Sequence, residues 1–210
     1  MRDLDALRLR DIDSRMKSIG MPDLENAFSR AWRATFGRTP PLGYILRLDF
    51  CDNWTRFHAL PKSKRYADNM AERNIILQRA NSLVEACFPD CESLWLVTAD
   101  YGALDIHPYD LVARLEMKSA FSWVDESEAP EDQVEVTFFA KKVLWKPRAL
   151  DWLFTEVAEE RGKAIIFDEG QRTVFAPYDG GFDIISLKRG KIGALETNFG
   201  SWMSERPDKL

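Results

Sequence analysis

Apolar residues recur at spacings of three and four from Leu24 through Ala27, Phe28, Ala31 and Trp32, with Asp23 in the N-cap position and Gly37 as a stop, which predicts an amphipathic helix. Thr39-Pro40-Pro41 ends it. Residues 44–50 then alternate, with Leu46, Leu48 and Phe50 on one face, and a second strand-like run, 54–60, follows across Cys51, Asp52 and Asn53; the two predict a β-hairpin. A basic connector over 61–66 leads into a long helix at 67–87, closed by Pro89, with Ile75, Ile76, Leu83 and Val84 on its inner face. Residues 93–98 and 134–139 read as strands, the second continuing towards Trp145, and 125–132 has the composition of an exposed acidic loop. Residues 100–122 show no clear period. A helix opened by Pro147 carries Leu150, Leu153, Phe154 and Val157, with Gly162 as its C-cap. Three short strands at 164–167, 172–175 and 182–187 precede a last helix at 188–203 bearing Ile192, Leu195, Phe199 and Trp202.

This order has no regular strand–helix–strand alternation and no internal repeat. It predicts a single α+β domain, with an antiparallel or mixed sheet of about six to seven strands and helices packed mainly on one face. Residues 1–21, with only Leu4, Leu7 and Leu9 as apolar marks, read as an N-terminal helical extension to a domain over 22–210.

Composition narrows the class. Seven Trp and thirteen Phe among 210 residues mean that rings supply much of the buried area. No apolar run approaches the ~20 residues that span a bilayer, and the first ten residues lack a signal peptide's apolar stretch. A cytoplasmic, bacterial-type protein with no membrane partner is expected. Cys51, Cys87 and Cys91 are an odd set, and Pro89 breaks the register between the last two, so neither a disulfide framework nor a cysteine metal site is expected. The net charge of −5 is unevenly spread: residues 1–66 hold 13 Lys and Arg against 8 Asp and Glu, whereas 67–135 hold 4 against 15. Such segregation can steer a charged partner, and equally describes solvated loops.

Phe175-Ala-Pro-Tyr-Asp-Gly-Gly-Phe-Asp-Ile184 is the most distinctive stretch. Its paired glycines predict a tight turn with positive φ, flanked by Tyr178, Asp179 and Asp183, where an anion or a carboxylate pair could sit or the acids could serve only the turn. Upstream, Arg56, His58, Lys62, Lys64 and Arg65 interleave with Trp54, Phe57 and Tyr66. On a strand, Trp54, Arg56 and His58 share a face, giving either a ligand surface or a guarded sheet edge. Glu116-Met-Lys118, with Asp100 or Asp105 upstream, fits the permissive acid, acid-x-lysine pattern of metal-dependent nucleases, in which carboxylates hold a divalent ion. His58 and His107 are the only histidines, which excludes designs needing several imidazoles. Nucleophile elbow, phosphate loop, dinucleotide fingerprint and Cys-x2-Cys pair are absent, so no cofactor is expected.

Tyr178-Asp-Gly-Gly-Phe-Asp-Ile184, followed by a helix with Trp202 near its end, resembles the bacterial family called domain of unknown function 3885. The Arg56-Phe57 strand, the Arg65-Tyr66 connector and the long helix after it are also similar, so that the resemblance spans roughly residues 24–205. It implies a small cytoplasmic α+β protein and supplies no catalytic residues. The reading that follows is a non-enzymatic protein-interaction module, immunity-like or regulatory, with Trp54, Arg56, His58, Lys62, Lys64, Arg65, Tyr178, Asp179 and Asp183 as its candidate surface. Nucleic acid is not an expected partner. The alternative is a metal-dependent nuclease or phosphoester hydrolase.

Overall fold

The computed structural model describes residues 27–102, 111–126, 129 and 133–206. Residues 1–21, Asp105, His107 and most of the acidic stretch 125–132 lie outside them.

Seven strands form one antiparallel sheet: β1 (Trp54–His58), β2 (Ser93–Asp100), β3 (Lys118–Val124), β4 (Glu135–Leu144), β5 (Ile165–Asp168), β6 (Thr173–Tyr178) and β7 (Gly181–Ser186). Their spatial order is β1-β7-β6-β5-β2-β4-β3. Six helices accompany it among the described residues: α1 (Ala27–Phe36), α2 (Gly43–Asp49), α3 (Met70–Cys87), α4 (Leu111–Leu115), α5 (Asp151–Ala158) and α6 (Lys191–Phe199). The described residues form a single α+β domain.

Every residue of β7 is buried, as expected of an interior strand covered on both faces. Phe182 and Ile184 point to the layer built by α3, α5 and α6, where they meet Phe57, Leu83, Phe154 and Phe175. Asp183 and Ile185 point the other way. That second face carries Trp54, Val97, Ile165, Phe167 and Ala176, and α1 covers it with Phe28, Trp32 and Phe36 while α2 contributes Leu46. The α1 rings pack edge-on and tilted: Trp32 lies 5.0 Å from Phe167, and Phe28 5.6 Å from Trp95. More helix packs on the first face than on the second, but both are covered.

The predicted hairpin is not formed. Residues 43–49 are helical, and β1 pairs with β7 rather than with its upstream neighbour. The window fits both periods: Leu42, Ile45 and Leu46 recur helically and face inward, whereas Leu48, assigned to the strand's inner face, is 67% exposed. Laying α2 against β7 buries Leu46 completely, which an edge strand at this position would not do. The unreadable stretch holds β3, whose pairing with β4 shifts register between Ser119 and Phe121; this irregularity and the surrounding polar residues hide its alternation.

The long helix starts at Met70 because Asn69 caps it: its side-chain oxygen accepts the Glu72 N–H at 3.0 Å, and the Glu72 carboxylate accepts the Asp68 N–H at 2.7 Å. Asn69→Ala is therefore expected to cost about 1 kcal/mol, seen as a melting temperature lower by roughly 2–4 °C in a thermal scan.

Candidate functional site

Antiparallel register places Arg56 opposite Asp183, and Asp183 opposite Ala176, in one row across β1, β7 and β6. The next row is His58, Gly181 and Tyr178. On the second sheet face the Arg56 guanidinium forks onto Asp183, with Nε donating to Oδ1 at 2.7 Å and Nη2 to Oδ2 at 2.8 Å. Its carbon sits 4.8 Å from the Tyr178 ring and 5.5 Å from the Trp54 ring, so the cation is held between two aromatic surfaces. Burial alone would lower its pKa; the bonded Asp183 carboxylate outweighs that and raises it.

This pair forms part of a cavity of about 370 Å³. Strands β2, β5 and β6 give it an apolar floor of Val97, Ala99, Ile165 and Ala176, and the start of α2 overhangs it. Gly43 permits that overhang, since a Cβ there would come 3.2 Å from Ala176 Cβ. Tyr44, Tyr101 and Tyr178 form walls, and Arg47 and Lys163 add two cations. Lys163 stands over the Tyr101 ring at 5.0 Å, its carbonyl fixed by Thr98 at 2.7 Å, and Arg47 stands 5.8 Å from Trp54. Neither has a carboxylate partner among the described residues. Asp183 is the one acid among the described lining residues. Burial, more than any neighbouring charge, pushes the Tyr178 phenol up to about 12, so it stays protonated at neutral pH.

The candidate surface read from the sequence is thus divided. Arg56, Tyr178 and Asp183 converge on the cavity, and Trp54 backs Arg56 while itself buried. His58 shares their face but lies 3.1 Å from Ser63 Oγ; its pKa is lowered by burial and then by Arg56 and Arg79. The connector cations leave the face: Lys64 pairs with Asp68 and Glu72 at 2.7 and 2.6 Å, and Arg65 pairs with Asp179 and Glu160. Tyr66 donates to Glu160 at 2.7 Å, and that bond holds its phenol up at about 12. Lys62 sits at φ 58° in the turn after Leu60. Arg47, Lys163, Tyr44 and Tyr101 escaped the sequence reading. Arg47 was hidden by the mistaken strand; the helical spacing of Leu42, Ile45 and Leu46 is the signal that exposes it.

The glycine turn differs from expectation as well. Neither Asp179, Gly180 nor Gly181 has positive φ, so this two-residue connection is not the mirror-image type that Asp-Gly commonly forms. Gly181 is required for another reason: a Cβ there would run into the Phe57 carbonyl oxygen and lie 2.9 Å from Tyr178 Oη. The missing side chain lets the Tyr178 ring cross β7 towards Arg56.

The acid-x-lysine pattern is not assembled around Asp100, and its other form, with Asp105, lies outside the described residues. Asp100 is level with Thr137 on β4 and accepts the Gly102 N–H, whereas Lys118 is level with Ala140 on the far side of that strand. Three residues and two strand spacings put their backbones roughly 14 Å apart. Among the described residues no three His, Cys, Asp or Glu side chains gather as a metal site. A second cavity of about 350 Å³ near Tyr66, α3 and α5 has its charges paired internally, Arg73 with Glu159 at 3.0 Å and Arg161 with Glu156 at 2.7 Å. No described helix is long and apolar enough to cross a membrane.

The fold and cavity define an α+β protein with a cation-lined pocket on one face of a fully antiparallel sheet. Residues 42–207 match the model of the family described as Domain of unknown function (DUF3885), and the chain belongs to that family. The match begins just before α2 and includes the whole sheet and every described cavity-lining residue but Pro41; α1, which covers the second face, precedes it. No curated protein and no solved structure matches the chain.

Proposed function

We propose that this protein is a non-enzymatic interaction module, regulatory or immunity-like, that grips an acidic group of its partner in the sheet-face cavity. The observation that carries this reading is the uncompensated charge of a built pocket: Arg47 and Lys163 face it without carboxylate partners among the described residues, while Asp183 is engaged by Arg56. Such a surplus attracts an anion and sets the salt dependence of its capture. The pocket's own groups suit binding better than chemistry, because Tyr178 is held protonated and the carboxylate is locked in a fork. The separation of Asp100 from Lys118 weighs against the phosphoester-hydrolase reading in the form that uses Asp100. Intracellular action in a bacterium is part of the same proposal.

The test is affinity capture by the wild type and by Arg47→Ala/Lys163→Ala. A partner retained by the wild type, released as salt is raised and absent from the variant is expected, with similar melting temperatures for both proteins because neither the half-buried Arg47 nor the exposed Lys163 is in an ion pair among the described residues. Equal capture by both would remove recognition from this face. Magnesium or manganese is expected to leave the melting temperature unchanged; a hundredfold excess over a true dissociation constant would add about 2.7 kcal/mol. Metal-dependent hydrolysis of a phosphodiester would overturn the non-enzymatic reading.

A further inference from the structure

Taking the cavity as the recognition site, on which this step rests, we infer that its ligand is a small aromatic phosphate monoester. Three features select that class. The volume of about 370 Å³ falls within the ~300–1,000 Å³ of small-molecule pockets, where an apolar body is buried and a few polar groups orient it. Beneath the cations lies the apolar floor of Val97, Ala99, Ile165 and Ala176, walled by tyrosines, which suits a flat ring and gives a bare inorganic anion nothing to bury. The charge is also specific. With Arg56 and Asp183 cancelling, Arg47 and Lys163 leave two positive charges among the described lining residues, matching the charge of about −1.5 to −2 on a phosphate monoester; a carboxylate would leave one unmatched. Burial, and after it the charge of Asp125, raises the Tyr44 phenol; Asp125 does not line the cavity.

Arg56 and Tyr178, which also line the cavity, carry further donors. The fork on Asp183 uses Nε and Nη2 of Arg56, and its Nη1 has no acceptor among the described residues. The Tyr178 hydroxyl is likewise without one. Arg56 is held by Asp183 and two rings, so it binds without first losing side-chain freedom. Arg47 and Lys163 then close on the phosphate from the α2 side and the β5 side.

Calorimetric titration of the whole chain with phenyl phosphate, adenosine monophosphate, inorganic phosphate, benzoate and adenosine tests this. Phenyl phosphate and adenosine monophosphate are expected to bind at least tenfold more tightly than inorganic phosphate or benzoate, and adenosine not at all. Arg47→Ala/Lys163→Ala is expected to lose at least tenfold, and Tyr178→Phe, which keeps the ring over Arg56 and removes only the hydroxyl, to lose less. Inorganic phosphate binding as tightly as phenyl phosphate would overturn the aromatic requirement, and adenosine binding as tightly as its monophosphate would overturn the phosphate. A polyglutamate peptide is the discriminating control. If it binds through Arg47 and Lys163 while neither phosphate monoester does, the ligand class falls and the pocket remains a recognition site; if no anion distinguishes wild type from variant, that recognition reading falls too.

Discussion

Asp183→Ala is expected to lower stability by about 3 kcal/mol, and Arg56→Met by more, towards 5 kcal/mol, because removing one member of a buried ion pair strands the other. The two losses differ because the survivors do. Both side chains line the cavity, but in the wild type that of Arg56 is 15% exposed and that of Asp183 8%, so a stranded guanidinium keeps more access to water than a stranded carboxylate. Chemical denaturation of both variants checks the order, with melting temperatures down by roughly 6–20 °C. Asp183→Asn keeps an acceptor for one of the two donors and is expected to fall between Asp183→Ala and the wild type. Arg56→Met/Asp183→Leu removes both charges and is expected to regain much of the loss. An Asp183→Ala protein as stable as the wild type would show that the pair does not anchor β1 to β7. Arg56 thus differs from the exposed, replaceable cation that the sequence suggests, and its substitution cannot serve as a clean test of ligand binding.

Gly181→Val is the second large effect, expected to exceed ~3 kcal/mol, because its side chain meets the Phe57 backbone carbonyl and the Tyr178 hydroxyl together. The ring can swing away; the carbonyl belongs to the β1–β7 ladder and moves only if the strands part. Gly180→Val is milder, since its Cβ would come 3.1 Å from Tyr178 Cε2 and 3.6 Å from Arg65 Cγ, both on side chains that can shift. The pair of melting curves is diagnostic. Equal destabilisation would point to a conformational requirement shared by both glycines, as expected from positive φ, whereas a loss concentrated at Gly181 supports the close approach.

These variants bear on how much of the molecule can be read from its residues. The α3 and α5 helices and the run from β5 to α6 are legible because their patterns are local: Leu83, Val84, Phe154 and Val157 keep a helical period, and the short apolar strands β5 to β7 are separated by Gly-containing turns. Residues 44–50 are not, because seven residues satisfy two periods and only contact with β7 decides between them. The candidate site was half legible for the same reason. Tyr178 and Asp183 announce themselves beside the glycines, and Arg56 lies on a recognisable strand, but Arg47 and Lys163 join them only through α2 and the start of β5. Arg65 misled because its neutralising partners, Glu160 and Asp179, are about a hundred residues further on, whereas those of Lys64, Asp68 and Glu72, are local.

The pairing of β1 with β7 also orders events in time. Arg56 meets its carboxylate across 127 residues of chain, so a ribosome must add all of them before β1 has its neighbour. Contacts of this sequence separation slow folding. The nascent chain therefore carries Trp54 and Phe57 unsheltered through most of its synthesis, and a product that stops short of Asp183 has neither a partner for its first strand nor a neutralised arginine in what would have been the cavity.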